Sequence, residues 1–122
     1  MSCKNTIDLE SIKENIRSGL VELIILQILS EEDVYGYKIK KLISESTDNV
    51  FTVKEGSLYG PLYRLCQRGY ISSHLENAGG KRFRNYYHIE PLGQDYLNYG
   101  KSEFFNVFDA CFKTFKLKNK SL

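Results

Sequence analysis

Apolar residues in the N-terminal part of the chain recur at spacings of three and four, the pattern of one buried helix face. The stripe of this predicted first helix is formed by Leu9, Ile12, Ile16, Leu20 and Leu23. Asp8 or Thr6 precedes the stripe and has the side-chain oxygen that an N-cap requires. From position 20 to 29 nearly every residue is apolar, so we expect this half of the helix to lie in a core.

Two shorter amphipathic helices are predicted after the polar residues 30–33. The second helix ends near Ser46, and its apolar stripe is formed by Tyr35, Ile39, Leu42 and Ile43. A turn and a brief extended piece over 50–53 lead to a third helix, which should start within 54–57 and stop at Gly69. The buried face of this third helix is predicted to contain Leu58, Leu62, Leu65 and Cys66. Its opposite face is small and basic, with Ser57, Gly60, Pro61, Arg64 and Arg68.

The chain then changes to strand-like alternation over 71–76 and 82–89, and the glycine-rich segment 77–81 joins the two runs as a hairpin. Pro91 suits the first turn of a last helix. The stripe of that helix is apolar and mostly aromatic, and it contains Leu97, Phe104, Phe105, Phe108, Cys111, Phe112 and Phe115. Packing against a second copy of the chain would bury such a stripe, so we expect a homodimer. The alternative is that the helix folds back on its own core.

Composition narrows the class of protein. A chain of 122 residues with 42% apolar and 26% charged residues is one folded domain's worth of protein. It has no apolar run of about 18 residues, the length that a membrane span needs, and no pattern of a secretory signal. The three cysteines at 3, 66 and 111 are odd in number and widely spaced, which argues against a disulfide framework. We therefore expect a cytoplasmic protein.

The distribution of charge is more informative than the net +2. Residues 1–53 carry six Lys/Arg against nine Asp/Glu, whereas residues 54–88 carry six against two. In this basic middle third the cations alternate with tyrosine and phenylalanine, a combination often found where a protein meets a phosphate backbone. A solvated basic surface would have the same composition, so charge alone does not decide the function.

The order of elements predicts a mainly α fold with a two-stranded β-wing, a winged helix-turn-helix followed by a C-terminal dimerisation helix. Residues 1–90 would form the DNA-binding domain, and residues 91–122 the dimerisation helix. In this geometry the third helix enters the major groove and the wing follows the DNA backbone. Winged helices also occur as protein-interaction modules that bind no nucleic acid, so this alternative stays open.

Several short motifs in this order resemble the PadR-type transcriptional regulators. They are Gly36-Tyr37-Lys38-Ile39, Glu55-Gly56-Ser57-Leu58-Tyr59, Leu62-Tyr63-Arg64-Leu65, Gly69-Tyr70-Ile71, Gly79-Gly80-Lys81-Arg82 and Tyr86-Tyr87-His88-Ile89. The resemblance covers roughly residues 18–97, and the single C-terminal helix is similar to the compact branch of the family. This similarity implies that the N-terminal helix also contributes to the dimer, because in that branch the first and last helices of each subunit intertwine across a two-fold axis. It implies a homodimeric repressor that binds double-stranded DNA at an inverted-repeat operator and is released by a small molecule or another effector.

Candidate site residues follow from the resemblance together with the basic surface. The DNA-binding set comprises Tyr37, Lys38, Lys54, Ser57, Tyr59, Tyr63, Arg64, Lys81, Arg82 and Arg84. Some family members bind planar aromatic compounds between their subunits, and Phe104 lies near the aromatic residue that contacts the ligand there. The sequence departs from the family pattern at Pro61, at Glu90 in the capping position and at His88 in the wing.

Catalytic and metal-binding patterns are missing from the sequence. His74 and His88 stand on opposite strands of the predicted hairpin, and the cysteines do not have metal-ligand spacing. The segment Gly79-Gly80-Lys81 lacks the earlier glycine and the following Ser/Thr of a phosphate-binding loop. We therefore expect neither an enzyme nor a bound cofactor or metal.

Overall fold

A computed structural model describes residues 6–54 and 56–117, so Cys3 and Glu55 lie outside the described residues. The described chain contains five helices and three strands. In chain order they are α1 (Leu9–Arg17), α2 (Val21–Glu31), β1 (Val34–Tyr35), α3 (Gly36–Ser46), α4 (Tyr59–Gln67), β2 (Ile71–Gly79), β3 (Arg82–Ile89) and α5 (Pro91–Phe115). No helix in these ranges combines the length and apolar content needed to cross a membrane. The predicted winged helix-turn-helix architecture is confirmed.

The predicted continuous first helix is wrong, because the chain forms two helices there. Helix α1 ends at Arg17, and the Leu20 amide donates a tight-turn hydrogen bond of 2.8 Å to the Arg17 carbonyl before α2 begins. Ser18 and Gly19 have low helix propensity. They lie between a segment with one apolar helix face and a segment in which nearly every residue is apolar. The predicted N-cap is confirmed, since Asp8 Oδ1 accepts a hydrogen bond from the Ser11 amide at 3.2 Å.

Helix α2 is the centre of the core, as its apolar composition predicts. It packs against α3, α4, β3 and α5. The buried apolar residues are Ile25, Leu26, Ile28, Leu29, Val34, Ile39, Ile43, Leu58, Leu62, Leu65, Ile71, Tyr87 and Leu97. The buried stripes predicted for the second and third helices are therefore confirmed, apart from Tyr35, Leu42 and Cys66, which are half-buried.

Helix α4 begins later than the sequence predicts. Gly56 has φ +88°, a left-handed value that a right-handed helix does not contain, and residues 56–58 form a turn ahead of Tyr59. Pro61 is accommodated because it lies in the first turn, where its missing N–H has no intrahelical partner to lose. At the other end Gly69 has φ +74° and supplies the predicted left-handed stop.

The wing is an antiparallel sheet of three strands in the order β1-β3-β2, where two strands are predicted. The additional strand β1 is only two residues long and pairs Val34 with Tyr87 and Tyr35 with Tyr86. The long β2–β3 hairpin pairs Ile71 with Ile89 at its base. Because two strands alone are marginally stable, β1 fixes the base of the wing to the helical core.

Helix α5 leaves the wing and passes over α2 at close range. Pro91 occupies its first turn as predicted, and Glu90 at the N-cap position makes no side-chain capping bond. The Glu90 carboxylate instead accepts a hydrogen bond from Ser72 Oγ on β2 at 2.7 Å. Gly93 lies against the backbone of Tyr70, which fixes the direction in which α5 leaves the domain.

Candidate nucleic-acid interface

Helix α4 presents a surface that the core leaves free. Leu62 and Leu65 on its inner side are buried, whereas Tyr59, Tyr63 and Arg64 are exposed. The two tyrosines are 61% and 65% exposed. Ser57 is also exposed, in the turn that precedes the helix. This surface carries rings and donors of the kind that contact nucleic acids.

Two arginines of α4 are held by one carboxylate on α2. Arg64 Nε donates a hydrogen bond to Glu22 Oε1 at 3.0 Å, and Arg68 Nη1 lies 3.6 Å from Glu22 Oε2. The Glu22 side chain is only 16% exposed, whereas both arginine side chains are about half exposed. The sequence pattern gave no sign of Glu22, because it stands 42 residues from Arg64 within an apolar helix.

A small concavity opens beside α4 where α3 begins. Its lining includes Tyr37, Lys40, Lys54 and Tyr59, and its volume is about 50 Å³. The N-cap residue of α3, Tyr35, makes no side-chain hydrogen bond to the N–H groups of the first turn. The structure thus brings the predicted residues Tyr37, Lys54 and Tyr59 together. It adds Lys40, which was not among the predicted DNA-binding residues.

The basic residues of the wing lie in two different environments. Lys81 and Arg82 are exposed at the tip of the hairpin. Arg84 is half-buried, with its guanidinium carbon 4.3 Å from the centre of the Tyr35 ring, so a cation–π contact holds it near the base of the wing. Lys38 is not at the concavity and pairs with Glu32 at 3.4 Å.

One ion pair joins the wing to the turn before β1. His88 Nδ1 lies 2.7 Å from Asp33 Oδ1, and both side chains are partly exposed. The hydrogen bond to Asp33 raises the pKa of His88 above its usual 6.5, burial opposes this shift, and the charges of Asp33 and Glu90 support it. The protonated form of His88 is therefore favoured, in the wing position where the family pattern has a basic residue.

The thiol and phenol nearest the core are not activated for chemistry. Burial raises the pKa of the Cys66 thiol, and burial together with the nearby Cys66 and Tyr59 raises the pKa of the Tyr87 hydroxyl. Among residues 6–54 and 56–117 no group of three or more His, Cys, Asp or Glu side chains is arranged to hold a metal.

A second surface lies between α1, α2 and α5. Helix α1 has no buried residue, and its apolar side chains Ile12 and Ile16 are 45% and 64% exposed. Two adjoining grooves of about 600 and 800 Å³ separate it from α5. Six of the seven predicted interface residues of α5 line these grooves, namely Leu97, Phe104, Phe108, Cys111, Phe112 and Phe115.

The predicted interface residues of α5 differ in accessibility. Leu97 is 1% exposed and belongs to the core of its own chain. It lines the smaller groove and not the larger one. Phe104 and Phe108 are half-buried with ring centres 4.3 Å apart, and Phe105 is 71% exposed, its ring packing edge-on against Phe104. Cys111 and Phe112 are half-buried and Phe115 is 65% exposed. The stripe is thus covered only in part by the chain's own helices.

Comparison with known proteins identifies the family. Residues 25–99 match the model of the Transcriptional regulator PadR-like family. An uncharacterized protein X from Lysinibacillus sphaericus is 36% identical over 87 residues, which are 71% of this chain and 80% of that protein. The transcriptional regulator YqjI of Escherichia coli is 34% identical over 64 residues, but these are only 52% of this chain and 31% of YqjI.

Solved structures agree with this assignment. A transcriptional regulator from Clostridium thermocellum has a TM-score of 0.76 at 35% identity, covering 81% of this chain and 96% of that one. Bacillus subtilis PadR, solved in complex with operator DNA, shares the fold with a TM-score of 0.60 at 23% identity, covering 65% of this chain and 45% of that one. Because the family model matches more than half of the sequence, the chain belongs to the PadR-like family of transcriptional regulators.

Proposed function

We propose that this chain is a sequence-specific DNA-binding repressor that acts as a homodimer on an inverted-repeat operator. The observation that carries the proposal is the exposed face of α4, where Tyr59, Tyr63 and Arg64 stand beside a cationic concavity and none of them is needed by the core. The operator complex of Bacillus subtilis PadR, which has the same fold, supports the proposal.

Each part of this surface has a role in the proposed complex. The α4 face enters the major groove, where Tyr63 and Arg64 contact base edges. The concavity lined by Tyr37, Lys40, Lys54 and Tyr59 takes a phosphate of the backbone. Lys81 and Arg82 at the hairpin tip contact phosphates farther along the duplex, and Arg84 and Lys38 contribute charge from beside these contacts.

Dimerisation is supported by the apolar surfaces that one chain leaves uncovered. Helix α1 buries none of its residues, and its Ile16 lines both grooves together with Phe104 and Phe108 of α5. A second copy that places its α1 and α5 against these grooves covers both surfaces by one two-fold operation. The same operation presents two α4 helices to two half-sites of an inverted repeat.

Release by an effector is supported by the size and lining of the smaller groove. A volume of about 600 Å³ lies within the range of small-molecule sites, and the lining is almost entirely apolar. Gln27 lines it, and the buried Oε1 of this residue has no hydrogen-bond partner among the described residues. Lys13, Arg17 and Lys101 also line this groove, almost wholly through their apolar stems, so a planar aromatic compound suits it.

The test is a titration of the protein onto the DNA upstream of its own coding sequence, with excess nonspecific competitor, at low and at physiological salt. Saturable binding that survives the competitor, with a two-fold symmetric footprint, is the expected result. If the protein protects neither this fragment nor any duplex selected from a random library, the alternative of a protein-interaction module is correct instead. Planar aromatic compounds added to the bound complex then test whether an effector releases the DNA.

A further inference from the structure

We infer that Glu22 is a positioning residue for DNA recognition, which holds the Arg64 guanidinium on the outward face of α4 before DNA arrives. The inference rests on the proposed DNA-binding function. Both carboxylate oxygens are engaged: Oε1 accepts from Arg64 Nε at 3.0 Å, and Oε2 lies 3.6 Å from Arg68 Nη1. One side chain of α2 thus connects the core helix to two successive turns of α4.

The hydrogen bond from Arg64 to Glu22 leaves both terminal nitrogens of the guanidinium, Nη1 and Nη2, available to contact DNA. The bond to Glu22 uses Nε, so the two terminal nitrogens of Arg64 keep their hydrogens for other acceptors. Nη1 lies beside the first turn of α4, where a Cβ on Gly60 would be only 3.5 Å from it. Arginine reads guanine and binds phosphate through two donors in a fixed plane, so a guanidinium that is already oriented needs less reorganisation on binding.

The burial of Glu22 indicates why a carboxylate is tolerated beside a DNA-binding surface. Its side chain is 16% exposed and lies behind two arginines that are about half exposed. A phosphate that approaches α4 therefore meets the arginines before the carboxylate. The carboxylate also offsets part of their positive charge, which weakens attraction to phosphates of any sequence. We therefore expect Glu22 to increase discrimination between DNA sequences more than total affinity.

The experiment measures specificity with a duplex that the wild-type protein enriches from a random library, against a scrambled duplex of the same length and composition. Glu22→Gln removes the charge, and Glu22→Asp keeps the charge but shortens the side chain. Glu45→Gln is the matched control, because Glu45 pairs with Lys41 at 3.8 Å near the C-terminal end of α3 and has the same charge change. Partly exposed ion pairs contribute little to stability, so all three variants are expected to fold, which thermal melting checks.

A positioning role predicts that Glu22→Gln and Glu22→Asp both reduce the ratio of specific to nonspecific affinity by about tenfold, whereas Glu45→Gln leaves it unchanged. Nonspecific affinity should be equal or higher in Glu22→Gln. In an Arg64→Ala background the Glu22 substitutions should have no further effect on the ratio. The inference is overturned if the ratio is retained, if Asp behaves like Glu, or if the two sites act independently. Failure of the wild type to enrich any duplex overturns the proposed function itself.

Discussion

Gly93→Ala provides a quantitative test of how α5 is joined to the winged-helix domain. A Cβ at this position would overlap the Tyr70 carbonyl oxygen and lie 2.9 Å from the carbonyl carbon. That oxygen accepts the Glu90 amide at 2.9 Å, so it belongs to the backbone junction between wing and helix and has little freedom to move. The methyl group therefore has to displace the first turn of α5.

Gly100→Ala is the matched comparison on the same helix. Its Cβ would overlap a methyl group of Leu23 and lie 3.2 Å from the other, but these are ends of a half-buried side chain that is able to change rotamer. Alanine also has a helix propensity about 1 kcal/mol better than glycine, which offsets a modest steric cost at position 100. Overpacking against fixed atoms costs about 1–3 kcal/mol or more, so we expect a net loss of about 2 kcal/mol for Gly93→Ala.

Urea denaturation followed by circular dichroism, at one protein concentration, measures both changes in unfolding free energy. The expected order is wild type, then Gly100→Ala within about 1 kcal/mol of it, then Gly93→Ala well below. Constant concentration is needed because dimerisation would make the midpoint depend on it. Equal stability of the two variants, or a less stable Gly100→Ala, would refute the docking of α5 against the Tyr70 backbone.

Three further predictions concern the proposed interfaces and the wing. Arg82→Ala should weaken DNA binding and reduce the log–log salt slope by about 0.9 for each phosphate that the variant no longer neutralises, as titrations at several salt concentrations would show. Phe108→Glu should weaken dimerisation at least about a hundredfold in analytical ultracentrifugation and abolish DNA binding with it, because the proposed interface buries the new charge. The raised pKa of His88 means that its pair with Asp33 stabilises the fold fully below pH 6.5, and this contribution disappears as the pH rises through the pKa of the folded protein. Asp33→Asn should therefore flatten the pH dependence of the melting temperature in that window.

Each of these predictions has a contrary outcome. A dimer that dissociates in Arg82→Ala would contradict the assignment of the hairpin tip to DNA, and an unchanged dimer in Phe108→Glu would contradict the assignment of the α5 stripe to the subunit interface. Arg64→Ala is a companion to Arg82→Ala, since it should also weaken DNA binding while leaving the dimer intact. A melting temperature whose pH dependence is the same with and without Asp33 would show that the ion pair does not stabilise the wing.

Local patterns in the sequence were sufficient for most of the architecture. The spacing of Leu58, Leu62 and Leu65 identified the inner face of α4, and Gly69 marked its end. Alternation over 71–76 and 82–89 identified the hairpin. These features depend on near neighbours in the chain, since a helix face repeats every three to four residues and a strand face every two. The order of the elements then indicated a winged helix, and the short motifs indicated the family.

Features that depend on distant residues were decided by the tertiary structure. Periodicity continued through Ser18 and Gly19, so only packing shows that α1 leaves the path of α2, whose all-round apolar surface has to enter the core. A two-residue strand such as β1 has too few residues for a visible alternation and exists because β3 pairs with it.

The candidate site divides in the same way between sequence and structure. The sequence by itself placed Arg64 on the outer face of its helix and Arg82 near the hairpin tip, because both positions follow from the pattern of their own elements. Only the tertiary structure shows that Glu22 contacts Arg64. It also shows that Leu97, a predicted interface residue, is buried in the core of its own chain. The physical reason is that ion pairs and burial depend on distance in space, and helix packing brings together residues that no local pattern relates.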